Sequence, residues 1–192
     1  MGKRITIIQG HPDPRGNRYG HGLAQAYRDG AVEVGHEVRV VDVAQLDFPL
    51  LRTQEDWGRG SMPNGLEAAQ QAILWAEHLV VFFPLWLGTM PALLKGFFEQ
   101  VLRLNSSAAD TAKAAHALLA GHSGRVVVTM AMPARKYRWT YSAHGVRGLE
   151  RSVLGFVGVK PIRETLIGMV EDPAAQHLRW IERLHELGRS AD

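Results

Sequence analysis

No cysteine occurs in the 192 residues. Disulfide staples, thiolate nucleophiles and cysteine-ligated metals are therefore excluded, and no metal centre is expected. Long apolar runs are also missing. No segment reaches the ~18 uninterrupted apolar residues of a membrane span. The opening "MGKRITIIQG" carries an apolar run too short for a secretory leader. A cytoplasmic protein without membrane insertion is the expectation. Charge of one sign is scarce too: 22 Lys and Arg stand against 19 Asp and Glu, a formal +3, and the arginines are scattered rather than gathered in a run. That balance argues against nucleic acid as a partner and for small anionic ligands. Internal repeats, low-complexity tracts and domain linkers are absent, so residues 1–192 read as one domain.

What is present is a 46% hydrophobic chain long enough for a full core. Short β-branched runs alternate with longer helical patterns. "RITIIQG" (4–10), "HEVRVVDV" (36–43), "HLVVFFP" (78–84), "RVVVTMA" (125–131) and "IRETLIG" (162–168) read as strands. Helices are expected over 19–34, 65–75, 91–102, 145–156 and 174–187. The middle strands are apolar at successive positions, as strands covered on both faces must be. The succession predicts an α/β fold, a doubly wound five-stranded parallel sheet with helices on both faces. Two connections, 44–64 and 105–123, are longer than such a fold requires, the second Ala-rich and expected to be partly helical.

Ligands of open α/β sheets sit beyond the carboxyl ends of the strands, where strand order reverses. Three segments should meet there. "GHPDPRGNRYGHGLAQAY" (10–27) stops the first strand with Pro12 and Pro14 and lets the backbone come close to a ligand at its glycines. Gly16, Asn17, Arg18 and the following helix N-terminus offer room and donors to an anion. The segment is neither a G-x-x-x-x-G-K-[ST] loop nor a G-x-G-x-x-G turn, and it also suits a plain Gly/Pro connector. In "PLWLGTMP", Pro84 ends a strand and Pro91 opens a helix. Leu85, Trp86 and Leu87 between them form a rigid apolar ledge whose backbone N–H groups are expected to point outward. Such a ledge suits a planar heteroaromatic ring, although Trp86 is equally compatible with the core. Lys95 reads as a snorkelling surface residue. "TMAMPARKYRWTYSAHG" (129–145) reads as a loop carrying Tyr137 and His144, a phenol and an imidazole able to pass a proton or steady an anion. With nine histidines in the chain, a structural role for His144 stays open.

Together these segments resemble the flavodoxin-like NAD(P)H:quinone oxidoreductases, the family of DT-diaphorase-type quinone reductases and of the flavoprotein ancillary subunits of potassium efflux systems. The resemblance rests on "GHP" after strand one, "FPLW…G…PALLKGFFEQV" after strand three, and a strand-four Thr followed by Tyr and, seven residues on, "HG". It implies a flavin, FMN or FAD with FMN favoured, reduced by NAD(P)H and reoxidised by a quinone or similar small acceptor in ping-pong fashion. It also allows two other roles: an electron carrier, or a regulatory subunit of a membrane transporter. By the resemblance, His11 with the Gly16 and Asn17 region matches the flavin phosphate and ribityl loop. Pro84, Leu85, Trp86 and Leu87 match the turn along the ring. Thr129, Met130 and Ala131 match the loop near its pyrimidine end, and Tyr137 with His144 matches a pair that stabilises charge on the reduced ring. The family's Ser-x-Asn is absent from the first loop. "TMAM" replaces a Thr-Thr-Gly-Gly run, and "RLNSSAADTAKAAHALL" replaces an aromatic segment that commonly walls the substrate pocket. A homodimer is expected, with the apolar "GFFEQVL" and the loop around Trp57 on its interface.

Overall fold

The computed structural model describes residues 2–59, 61–103, 111–172 and 176–192. Five strands, β1 (Arg4–Gln9), β2 (Glu37–Asp42), β3 (His78–Pro84), β4 (Ser123–Thr129) and β5 (Ile162–Ile167), form one sheet in the order β2-β1-β3-β4-β5. Every neighbouring pair is parallel, with β1 Ile7 opposite β3 Val80 and β3 Pro84 opposite β4 Thr129. The expected strands are all present within two residues of their ends. The largest shift is in β4, which begins at Ser123 and ends at Thr129, so Met130 and Ala131 lie beyond it.

Strand alternation divides the core in two. Ile5, Ile7, Val80, Phe82 and Val127 point to the face covered by α1 (Tyr19–Glu33) and α8 (His177–Ser190), where Leu23, Tyr27 and Leu184 are fully buried. Ile8, Leu79, Val81, Phe83, Val126 and Val128 point to the opposite face. That face is covered by α3 (Glu67–Trp75) through Ile73, by α4 (Ala92–Val101) through Leu94, Phe97 and Phe98, and by Leu149 and Leu154 of the later helical segment. No described helix is long and apolar enough to cross a membrane.

The 44–64 connection, expected to be a loop, contains α2 (Gln54–Arg59). The Ala-rich one, expected to be partly helical, contains α5 (Thr111–Leu118), with residues 104–110 outside the described residues. The 129–145 segment is not a loop either, because α6 (Ala134–Thr140) occupies its middle and α7 (His144–Gly148) its end. The chain then widens into a π-type turn over Leu149–Leu154, where one uniform helix was expected. The first residues of the helix expected over 174–187 lie partly outside the described residues, and α8 runs on to Ser190.

The apolar surface expected of "GFFEQVL" is not there. Phe97 and Phe98 are 0% and 2% exposed, inside the core. The polar residues of the same stretch hold the long connection down: Gln100 Nε2 donates to the Pro49 carbonyl (2.7 Å), and the Arg103 guanidinium donates to the carbonyls of Asp56 and Ser61.

Candidate functional site

The strand order reverses between β1 and β3, so the segments leaving their carboxyl ends run to opposite faces and leave a crevice between them. The first wall is the β1–α1 loop. Its backbone is fixed by its own side chains: the His11 N–H donates to Gln9 Oε1 (3.1 Å), and the Asp13 N–H donates to His11 Nδ1 (3.0 Å). His11 Nδ1 is therefore an acceptor, and its proton sits on Nε2. Burial, aided by the neighbouring His21, pushes the His11 pKa down, which favours this neutral form. Asp13 is clamped between two guanidiniums, accepting from Arg15 Nε (2.9 Å) and Arg18 Nε (2.7 Å), and these bonds hold its carboxyl far below the usual range. Gly16 adopts φ +68° with open space where a Cβ would stand, and Asn17 is exposed. Arg18 caps α1, and its N–H donates to Nδ1 of His21 in the first turn (3.3 Å). His21 Nε2 thereby carries a proton, is shielded from solvent and has no hydrogen-bond partner among the described residues. An unpaired buried donor at a helix N-terminus is an incomplete anion site.

The second wall is the turn after β3. The Leu85 N–H donates to the Thr129 carbonyl (2.8 Å), and Trp86 and Thr89 exchange both backbone bonds (2.9 and 3.0 Å). The N–H groups of Leu85 and Trp86 are thus spent inside the fold rather than pointing outward. Leu87 and Gly88, at φ +48° and +84°, have the paired positive angles of a type I′ turn. Leu87 is 105% exposed and Trp86 51%, so neither packs in the core. Leu87 is also the residue of the ledge whose own backbone N–H finds no partner among the described residues. The His11 ring stands edge-on to Trp86 at 6.3 Å, which joins the first wall to the second.

The third wall combines the end of β4 with α6 and α7. Thr129 is nearly buried, Met130 is buried with its N–H on the Ile167 carbonyl (2.8 Å), and Ala131 is exposed. Tyr137 is fully buried within α6. Its hydroxyl donates to the Gly88 carbonyl (2.9 Å) and accepts from the Val146 N–H (3.3 Å), and burial pushes its pKa up. The phenol is therefore a strut between the turn and α7. His144 is exposed, with its ring 6.5 Å from that of Tyr137. Its Nδ1 lies 3.0 Å from the Tyr141 carbonyl and must be the donor there, leaving the lone pair on Nε2. A Cβ on Gly88 would stand 3.4 Å from that Nε2, and a Cβ on Gly145 would overlap the Gly88 carbonyl at 2.2 Å. Glycine at both positions is what lets α7 rest against the turn.

The residues expected at the site are therefore contiguous, from His11 through Trp86 and the turn to Tyr137 and His144, with Leu85 tied to Thr129. His21, Asp13, Gly88 and Gly145 were not expected there. A histidine one turn inside a helix that follows a Gly/Pro-rich loop, and the glycine of "HG", were the available signals.

The fold has solved counterparts. The structure of an NAD(P)H:quinone oxidoreductase from Methanothermobacter marburgensis superposes with a TM-score of 0.80 at 22% identity, covering 100% of this chain and 97% of the other. An FMN-dependent NADH-azoreductase from Bacillus anthracis, solved in complex with FMN, gives 0.70 at 16% identity over the whole of both chains. Among curated proteins, the ribosyldihydronicotinamide dehydrogenase-like protein traD of Penicillium crustosum is 26% identical over 179 residues, which span 79% of this chain and 64% of that one. The family model for the flavodoxin-like fold matches residues 3–187, and the chain belongs to that family.

Proposed function

We propose that this protein is a flavin-dependent NAD(P)H oxidoreductase that passes reducing equivalents to a quinone or similar small acceptor by a ping-pong route, with FMN favoured over FAD. The observation that carries the reading is the ledge of Trp86 and Leu87, an exposed aromatic and a fully exposed leucine held in a rigid turn at the strand-order reversal. The names of the similar proteins support it: an NAD(P)H:quinone oxidoreductase and an FMN-dependent NADH-azoreductase.

The residues present fit such a group. The unpaired Nε2 proton of His21, the Nε2 proton of His11 and the guanidinium of Arg18 would be available to hold an anionic phosphate, and Gly16 would leave it room. Trp86 and Leu87 supply apolar surface for a ring, with the free Leu87 N–H at its edge, while Pro84 and Leu85 fix the turn to the sheet. Thr129, Met130 and Ala131 close the other side. Bound flavin would supply the hydride chemistry, and the protein's part is positioning and electrostatics. His144 holds Nε2 at the rim of the ledge, where it takes up or delivers a proton, its orientation set by the Tyr141 carbonyl. Tyr137 acts through the turn as a positioning residue. The reading includes a cytoplasmic homodimer. Its interface would lie at the cleft of about 410 Å³ that Trp57 and Phe156 line, since each is half exposed.

The visible spectrum of the purified protein, with the flavin identified after heat release, tests the reading. Yellow protein that oxidises NADH or NADPH in rapid mixing is expected. A colourless protein that neither FMN nor FAD reconstitutes would overturn it, and a monomeric mass by light scattering would remove the dimer.

A further inference from the structure

Away from the crevice, a cleft of about 660 Å³ runs along the outer side of β5. Its walls are α6, through Arg135, Arg138 and Trp139, and α8, through Trp180 and Arg183. These helices belong to opposite faces of the sheet, with Tyr137 of α6 in one core layer and Leu184 of α8 in the other. The consecutive residues Arg163 to Leu166 form the floor. The floor is thus the edge of the sheet itself, since among the described residues β5 pairs only with β4.

The hydrogen bonds show which backbone groups that edge presents. The Gly124 N–H donates to the Pro161 carbonyl and the Met130 N–H to the Ile167 carbonyl (2.8 Å each), so residues 161 and 167 face β4. The N–H and C=O of one residue leave a strand on the same side, and the side alternates along the chain. Ile162, Glu164 and Leu166 therefore direct three N–H and three C=O groups away from β4, those of Glu164 and Leu166 into the cleft, with no partner among the described residues.

Edge strands are commonly blunted by their own charges. Here those charges are neutralised, Arg163 by Asp192 and Glu164 by Arg138. The free charge stands on the walls instead. Five arginines line the cleft against two carboxylates, and Arg135 and Arg183, one on each helix, have no ionic partner among the described residues. Trp139 beside them is 78% exposed, an uncovered aromatic of the kind that anchors an interface.

We propose that the bare edge of β5 between Arg135 and Arg183 docks an extended acidic segment of a partner protein, which adds to the sheet as a sixth strand. The edge gives backbone hydrogen bonds, and the walls give charge and aromatic contact, the division of labour seen in strand addition generally. A second copy of this chain is the wrong occupant. Edge-to-edge pairing of two such grooves would set arginine walls against arginine walls, a repulsive arrangement.

The probe is a fluorescein-labelled decapeptide alternating glutamate and valine, with its lysine–valine counterpart as control, titrated into the full-length protein by polarisation. Saturable binding of the acidic peptide alone is expected. Arg135→Glu combined with Arg183→Glu should weaken it at least about tenfold, as for charge reversal in a complementary interface. Glu164→Pro separates strand addition from plain charge attraction. It deletes an outward N–H while sparing the ladder to β4, and it also removes a negative charge. Attraction alone predicts tighter binding, whereas strand addition predicts binding about fivefold weaker, the scale of one lost backbone bond. Should that variant fail to fold, amide hydrogen exchange on the unaltered protein decides. The peptide must slow exchange at Ile162, Glu164 and Leu166. Unchanged exchange there, tighter binding by Glu164→Pro, full displacement by inorganic pyrophosphate, or a dimer dispersed by Glu164→Pro would each overturn the proposal.

Discussion

At the amino ends of the strands, polar groups are buried and mostly matched, with His78 Nε2 and His122 Nε2 left without a hydrogen-bond partner among the described residues. His78 opens β3 at 2% exposure, with Nδ1 2.7 Å from the Ser123 hydroxyl. The Arg125 guanidinium, almost wholly buried, donates to the Thr165 hydroxyl and to the Asp192 carbonyl (2.6 Å each). At the carboxyl ends the backbone is the more strained. Leu87, Ser142, Ala143 and Met169 all take positive φ, against Ala191 alone near the amino ends among the described residues, and Leu87 and His144 are exposed. Left-handed backbone in non-glycine residues opposes folding and persists only where a rigid scaffold imposes it. The amino ends supply that scaffold. One end of the sheet holds the fold together, and the other holds a shape that folding alone would not select.

The comparison breaks most visibly at Arg125. Arg125→Ala should destabilise the protein by about 3 kcal/mol, because it removes a buried cation and strips buried Thr165 and half-buried Asp192 of their donor. Flavin affinity of the molecules that remain folded should not change. Urea midpoints beside flavin titrations check both, and a variant that loses flavin affinity without losing stability would erase the distinction between the two ends.

His144 should behave the other way round. Its side chain is exposed, so His144→Ala should shift stability by less than about 0.5 kcal/mol. Flavin reduction by NAD(P)H should slow about 10²-fold, the lower end of what acid–base assistance is worth. Tyr137→Phe should separate from it. Loss of the hydroxyl strands the buried Gly88 carbonyl and Val146 N–H, so thermal stability falls first. Equal effects of the two substitutions on stability and on reduction rate would reunite them as one proton-handling pair.

Legibility in the sequence follows the same divide. The strands were legible because "HLVVFFP" and "RVVVTMA" put apolar side chains on both faces, and only a doubly covered sheet uses them that way. The crevice was legible in outline because Pro84 and Pro91 bracket a short turn between strand and helix. α6 was not, because "ARKYRWT" offers a single buried residue, Tyr137, and no apolar stripe. Pro133 immediately before it was the overlooked start signal. Nor could composition show that the two phenylalanines of "GFFEQVL" face inward while Gln100 and Arg103 reach across to hold Pro49, Asp56 and Ser61. Long-range side-chain bonds of this kind leave no local pattern.

His78 sharpens the comparison through pH. Burial first, and nearby cations after it, push its pKa down to about 4. The unfolded chain therefore binds this proton more readily than the folded one. The contribution is fully present above about pH 6.5 and is lost as pH falls from there toward 4. Between pH 7.5 and pH 5 the loss should be about 2 kcal/mol from this residue. His78→Gln, which keeps a polar group near Ser123, should flatten that part of the stability profile while costing something at neutral pH. An unchanged slope between pH 7 and 5 would show that His78 is paired with water rather than buried neutral.

The smallest effect is the most direct test of what the carboxyl end holds. Leu87 sits at φ +48° with its side chain entirely in solvent, so nothing in the monomer repays either the backbone conformation or the exposed apolar surface. Leu87→Gly relieves the strain, since glycine reaches positive φ without a Cβ clash, but it also loosens the unfolded chain. The first term outweighs the second at a left-handed site, and the variant should be more stable by about 0.5 to 1 kcal/mol. If the ledge exists to bind a ring, the same substitution should weaken flavin affinity severalfold, trading binding surface for stability. Thermal unfolding of the flavin-free protein beside a flavin titration measures the two together. A Leu87→Gly protein that is both less stable and undiminished in flavin affinity would mean that the leucine is held in its turn by contacts within the fold, and the ledge would lose its assigned purpose.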